Sequence, residues 1–342
     1  MFPWPRPARF AAALLLLPSA ACSSALVYSG PGPEAAASRY LSSPVPAPTS
    51  SGRVSDHVIV ISIDGLRPDA IDHFEAKTLQ RLIREGSSSM EARTITPSIT
   101  LPSHTSMLTG VEPRVHGITW NKNHVEENGR VRVPTILSIA RANGLRTAAF
   151  FSKGKFDHLL LPGSVDHAVL PNGNGTWLAG RTASEVERYL ADHSPNLLFV
   201  HIGDPDYAGH FVGWMGSVYG VAVRHADGAV ARVLEAADAA FGAGNYTVIV
   251  TADHGGHGRT HGTEADTDMT IPWIAWGKGV RAATQLPRSI HTTDTAATAL
   301  WLLGLQPPDE YAGVPVQTAF EIRPGPLLAD APPDSAPASL SR

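Results

Sequence analysis

Three apolar segments of this 342-residue chain end in carboxylates beside histidines, the residue types that hold divalent cations. Val58-Ile59-Val60-Ile61-Ser62-Ile63 leads into Asp64. Asn196 to Gly203 is followed by Asp206 and His210, and Tyr246 to Ala252 delivers Asp253 and His254, with His257 and His261 in the loop beyond. A single Asp at a strand end is an ordinary cap or turn residue. Three of them, joined by at least two His and each from a different segment, make a metal-site pattern. Mixed imidazole and carboxylate ligation suits zinc, with manganese and iron as alternatives. A hydroxyl completes the set. The run Thr96 to Gly110 places Thr100 between an extended segment and the opening of a helix, with Pro102 suited to the first turn and free amides there able to hold an anion. A Thr in this position is commonly only a cap. Beside a metal site it becomes the candidate nucleophile, because one cation lowers the pKa of its hydroxyl while another stabilises the leaving oxygen, and no separate base is required. Two zinc ions would be balanced by three Asp and a Thr100 alkoxide, so the resting site is expected near neutral. The expected path is attack by Thr100 on the bound anion, a covalent intermediate on its oxygen, and hydrolysis of that intermediate.

The three segments are continuously apolar, as strands buried on both faces are, and the C-terminal edge of an open α/β sheet is where sites are built. Helix-like stretches alternate with them near Pro68 to Glu85, Pro134 to Asn143, Ala183 to Asp192, Ser217 to Phe241 and Thr293 to Leu303, with a further strand at Thr147 to Phe151. The alternation predicts an α/β fold, a doubly wound, mostly parallel central sheet with helices on both faces, forming one catalytic domain over residues 54–322.

At 43% hydrophobic and 17% charged residues the chain can bury a large core, and a net charge of −4 without a basic stripe argues against nucleic acid as a bulk partner. Arg6, Arg9, the apolar stretch Phe10 to Leu17 and the small residues before Cys22 read as a signal peptide over residues 1–21, too short to span a membrane. Export to the periplasm, the exterior or the cell envelope follows. Cys22, the only cysteine, stands where a bacterial lipoprotein is acylated and offers a membrane tether, although Ser19 replaces the usual aliphatic residue. Residues 22–53 read as a Pro/Ser-rich tether and 323–342 as a comparable tail.

In Ser62-Ile63-Asp64-Gly65, Thr100-Leu101-Pro102-Ser103-His104, Leu108-Thr109-Gly110 with His116-Gly117-Ile118, Asp206-Tyr207-Ala208-Gly209-His210 and Asp253-His254-Gly255, taken in this order, the chain resembles the alkaline phosphatase superfamily, and within it the type I phosphodiesterase and nucleotide pyrophosphatase/phosphodiesterase branch. The resemblance implies an alkaline phosphatase-like core and one metal held by Asp64, Thr100, Asp253 and His254. It implies a second held by Asp206, His210 and His261, with Asn121 helping to bind a phosphoryl oxygen. It favours His261 over His257, because a strand-like stretch, Met269 to Gly277, follows. His104, His116 and His291 are expected to be structural. Leu101 stands where nucleotide-cleaving relatives carry an aromatic residue, and only six residues separate His254 from His261, where those relatives insert a long segment. The C/S-x-P-x-R signature of sulfatases is absent. The expected function is an exported, two-zinc phosphodiesterase acting on a small-molecule phosphate ester. The alternatives are a phosphoethanolamine-type phosphotransferase, a non-enzymatic metal-binding protein, or a phosphomonoesterase. The last needs an added cation, for which Lys122 and Arg67 lie near the motifs.

Overall fold

The computed structural model describes residues 25–29, 52–287 and 289–321. The expected signal peptide, Cys22, most of the expected tether and the tail lie outside the described residues.

The strands are β1 (Ala25–Ser29), β2 (Val58–Ile63), β3 (Ser87–Arg93), β4 (Thr147–Phe150), β5 (His167–Pro171), β6 (Leu197–Ile202), β7 (Thr247–Thr251), β8 (Thr270–Gly277) and β9 (Thr284–Gln285). They form one sheet in the order β1-β5-β4-β6-β2-β7-β8-β3-β9. β2, β6 and β7 are buried at every position. Side chains alternate between faces along a strand, so both faces of the sheet centre are covered. The helix Ser217–Phe241 packs with Lys77–Glu85, Ala179–Leu190 and Asp204–Val212, while Thr100–Thr109, Ile136–Ala142 and Asp294–Leu302 pack with one another.

The sheet is mixed: parallel across its centre, as expected, with antiparallel pairs toward both edges. β5, β4, β6, β2 and β7 are parallel neighbours. β1 pairs antiparallel with β5, and β8 lies antiparallel between β7 and β3. The cause for β8 is its connection: the loop from Ala252 to Met269 stays at the edge where β7 ends, so the chain re-enters the sheet reversed instead of crossing to the far edge. Register aligns the parallel ends, with Ile63 opposite Ile202, Ser62 opposite Thr251 and Phe150 opposite Val200. The residues after β2, β4, β6 and β7 therefore meet at one edge.

Among the described residues, the stretch Pro68 to Glu85 is two helices, Pro68–His73 and Lys77–Glu85, because Glu75 adopts a left-handed φ of 54°. Ala25–Ser29, within the span read as tether, adds the edge strand β1.

Candidate active site

The three histidines at this edge share one tautomer. His254 Nδ1–H donates to its neighbour Gly255 O (2.8 Å), His261 Nδ1–H to Ser98 O (2.9 Å) and His210 Nδ1–H to Arg259 O (3.2 Å). Each bond leaves the Nε2 lone pair free, the arrangement that orients metal-ligating imidazoles. Those lone pairs converge: His210 Nε2 and His261 Nε2 lie 3.0 Å apart, and 3.4 and 3.5 Å from Asp206 Oδ1. His254 Nε2 is 3.4 Å from Asp64 Oδ1 and 3.2 Å from Asp253 Oδ2. The His254 and His261 rings stack with centroids 3.6 Å apart. Asp206 and His210 share a face because they stand four residues apart on the helix Asp204–Val212.

The carboxylate oxygens facing these nitrogens, Asp64 Oδ1, Asp206 Oδ1 and Asp253 Oδ2, are buried and accept no hydrogen bond among the described residues. Their outer oxygens are held: Asp253 Oδ1 accepts from Gly65 N (3.1 Å), and Asp64 Oδ2 from His201 Nε2 (3.0 Å). Orphaned oxygens facing unprotonated nitrogens form a donor set that fits divalent cations. Two groups, Asp206 with His210 and His261, and Asp64 with Asp206 and His254, are close enough to share an ion. Asp206 thus faces both groups, whereas the resemblance gave it to one. His257 belongs to neither group; its Nδ1–H donates to Asp268 Oδ1 at 2.7 Å.

Thr100 opens the buried helix Thr100–Thr109, whose N-cap is Ile99, so its hydroxyl is not spent as a cap. Thr100 Oγ1 lies 3.4 Å from His254 Nε2. His104 fixes this turn: Nδ1–H donates to Thr100 O (2.8 Å) and Nε2 accepts from Ser62 Oγ (2.8 Å). Asn121 Oδ1 accepts from Leu101 N (2.9 Å), which places its amide beside the nucleophile. Gly65 is required between β2 and this cluster. Its φ is 71°, and a Cβ there would meet Asp206 Cα at 3.0 Å. Leu101, fully buried, offers no surface for a base to stack on.

Two lysines after β4, Lys153 and Lys155, escaped the sequence reading, as did His201. Lys153 Nζ bridges Asp64 Oδ2 (2.7 Å) and Asp206 Oδ2 (2.5 Å). Burial opposes ionisation of Asp64, but the Lys153 ammonium and the His201 hydrogen bond hold it well below the usual carboxylate range. Burial and then the Asp64 charge push Asp253 well above that range, because three carboxylates share one paired cation. Lys155 Nζ donates to Asn121 Oδ1 (2.9 Å), and burial followed by the Lys153 charge pushes its pKa down to about 8. Arg67 is tied to Asp69 (2.6 Å) and Lys122 is exposed, so the cations at the site are others than the sequence pointed to. Both lysines add positive charge that the expected balance did not count. A cavity of about 220 Å³ opens onto Thr100, Asn121, Lys153, Lys155, Asp206 and His210.

The model of the type I phosphodiesterase / nucleotide pyrophosphatase family matches residues 58–269, most of the described chain and every residue of this cluster. The chain belongs to that family. Within it, ectonucleotide pyrophosphatase/phosphodiesterase family member 7 of Rattus norvegicus is 24% identical over 220 residues, 58% of this chain and 49% of the relative. The bis(5'-adenosyl)-triphosphatase enpp4 of Xenopus laevis is 26% identical over 222 residues, 61% of this chain and 48% of that protein. The chain spans about half the length of these curated relatives. Murine ectonucleotide pyrophosphatase/phosphodiesterase 5, solved as an inactive variant in complex with AMP, superposes with a TM-score of 0.66 at 15% identity, over 78% of this chain and 100% of that one. A 2-O glycosaminoglycan sulfatase superposes at 0.59 and 14% identity, over 78% of this chain and 74% of that one. Both likenesses are of fold.

Proposed function

We propose that this member of the type I phosphodiesterase family is a metal-dependent phosphodiesterase in which Thr100 is the nucleophile, on a small-molecule phosphate ester. The observation that carries the reading is the meeting of Thr100 Oγ1 with His254 Nε2 at 3.4 Å, beside carboxylate oxygens without partners. Asp64, Thr100, Asp253 and His254 would hold one ion, and Asp206, His210 and His261 a second, with zinc suited to these donors. Bound there, two divalent ions supply Lewis acidity to the attacking and leaving oxygens.

The chain's own residues do the rest. His104 and Ser62 hold the Thr100 turn, and Asn121 donates its amide N–H to a non-bridging oxygen of the phosphoryl group. Deprotonated Thr100 Oγ1 bonds to phosphorus as the bond to the leaving oxygen breaks, and that oxygen takes a proton from water. Water then attacks the phosphothreonine, releasing the phosphorylated product and restoring Thr100. Family membership supports the ester class, and the named relatives act on nucleotides by their names. The buried Leu101 gives a base no stacking partner beside Thr100, which weighs against a nucleotide substrate.

We place the enzyme outside the cytoplasm on the strength of residues 1–22. Turnover of bis(4-nitrophenyl) phosphate by zinc-loaded protein, abolished by chelator and by Thr100→Ala, is the expected result. Turnover that survives the chelator contradicts the reading.

A further inference from the structure

Eight large hydrophobic side chains stand exposed among the described residues, and five of them, Leu178, Phe211, Val212, Val218 and Val221, lie on segments that leave the catalytic edge of the sheet. Phe211 directly follows His210 and Leu178 stands two residues after Thr176, both of which line the cavity. Phe211 is 70% exposed and Leu178 59%, so neither is spent on the core. Phe211 and Val212 end the helix Asp204–Val212, while Val218 and Val221 open the helix Ser217–Phe241 that packs against it. The junction between the two is fixed from inside: Trp214 Nε1–H and the Tyr219 hydroxyl both donate to Gly65 O, at 3.0 and 2.8 Å. With Trp214 and Tyr219 buried there, Phe211 and the valines are held outside, and such a grouping marks an interaction surface. Its rim is basic. Arg259 Nε donates to His210 O (3.1 Å) beside Phe211, Arg224 follows Val221 by one helical turn, and both are exposed. From Tyr207 to Ala226 the sequence holds no acidic residue.

The strand β1 supplies an independent observation. Its first residue, Ala25, pairs with Pro171, the last residue of β5, and β5 runs parallel to β4 and so ends at the catalytic edge. β1 therefore begins at that edge. Cys22 precedes Ala25 by three residues, a reach of about 10 Å in extended chain. An acyl chain on Cys22, the tether expected from the sequence, would hold a bilayer against the catalytic edge and not against the far end of the sheet. We propose that this edge seats on a lipid bilayer with anionic headgroups, with Phe211, Val212, Val218 and Val221 entering the headgroup region and Arg224 and Arg259 meeting lipid phosphates. The contact is peripheral, since no helix among the described residues is long and apolar enough to cross a membrane. The cavity then opens toward the headgroups. The inference rests on the fold and on these exposed side chains, and it holds whichever phosphate ester is turned over.

The test is co-sedimentation with vesicles of phosphatidylcholine alone and of phosphatidylcholine mixed with phosphatidylglycerol. The protein is the chain begun at Ser23, which contains every described residue and lacks both Cys22 and the apolar stretch before it. It should pellet with the phosphatidylglycerol vesicles, less so as salt is raised. Losing two apolar side chains in Phe211→Ser/Val221→Ser should weaken that binding by about tenfold or more. Arg224→Gln should weaken binding to the phosphatidylglycerol vesicles only. Val314→Ser should change nothing, because Val314 is exposed on the other helix layer, where its N–H donates to Asp294. A native chain that stays in solution with both vesicles, or a double variant that pellets as well as the native chain, overturns the inference. So does a concentration-dependent dimer that the double variant abolishes, which assigns the surface to a second copy of the chain. Turnover of soluble bis(4-nitrophenyl) phosphate by the double variant should match the native rate. A loss there shows that these side chains serve the cavity itself and overturns the inference, whereas a native chain inactive on that ester refutes the proposed function and leaves the vesicle result standing.

Discussion

Replacing Lys153 by Met removes the cation that bridges Asp64 and Asp206 while keeping much of the side chain's length. Lys153 Nζ sits 2.7 Å from Asp64 Oδ2 and 2.5 Å from Asp206 Oδ2, with all three groups buried. Removing one partner of a buried ion pair typically costs about 3–5 kcal/mol, because the remaining charge is left uncompensated. Here two carboxylates are left, so the metal-free protein should fall at the upper end of that range, a drop in Tm on the order of 10 °C for a domain of this size. Zinc changes the outcome. Divalent ions among the same carboxylates supply the missing counter-charge, so the loaded variant should lose less than about half as much. Differential scanning calorimetry of both proteins, with chelator and with excess zinc, reads this directly. An equal loss in the two conditions would refute the reasoning, since it would mean that Lys153 acts by packing and not by charge at the ion site.

Three further outcomes follow from the geometry. His210→Ala should lower zinc content by one of two equivalents and leave the His254 group loaded; unchanged metal content by elemental analysis would remove His210 from the ligand set. Asn121→Ala should lower kcat/KM for the diester by about tenfold or more with Tm shifted little, because an amide N–H to the phosphoryl oxygen is lost; an unchanged kcat/KM would exclude that bond. His116 is buried, with Nδ1 accepting from Ile118 N (3.0 Å), and burial pushes its pKa down to about 4. Between that value and the ordinary 6.5 the unfolded chain binds more protons, so stability is full above pH 6.5 and is lost as pH falls toward 4, by on the order of 3 kcal/mol for this group. Urea unfolding of chelated protein should show a shallower acid slope for His116→Asn, and equal slopes would exclude His116 as the cause.

The legible part of the site is the part carried by strands buried on both faces. Such strands must be continuously apolar, so the first polar residue after β2 and β7 marks the sheet edge, and Asp64 and Asp253 could be placed from sequence alone. Asp206 and His210 were legible through their helical spacing. Lys153 and Lys155 were not, because β4 is only four residues long and its run ends in Ser152. The meeting of Lys153 with Asp64 and Asp206 depends on β4 lying beside β6, an order in the sheet that no local pattern encodes. His201 was hidden in the same way: a lone His in an apolar strand reads as core until Asp64 is known to lie opposite its ring. The helix Ala179–Leu190 begins earlier than expected because Asp204, distant in sequence, accepts from Ala179 N at 2.7 Å and serves as its cap. β3 was missed because its residues are Ser-Ser-Ser-Met-Glu-Ala-Arg, with the strand set by pairing to β8 and not by its own propensity.

The central claim is that Thr100 Oγ1 bonds to phosphorus. Rapid quenching of the zinc-loaded enzyme in acid during turnover of a phosphate ester carrying labelled phosphorus, followed by peptide mass spectrometry, tests it most directly. The account predicts label on Thr100, absent in Thr100→Ala and retained at reduced rate in Thr100→Ser, which keeps the oxygen and loses the methyl that restricts its rotamer. Unlabelled Thr100 during full turnover, or a Thr100→Ala variant that keeps both metal ions and near-native rate, would contradict it and assign the attack to water.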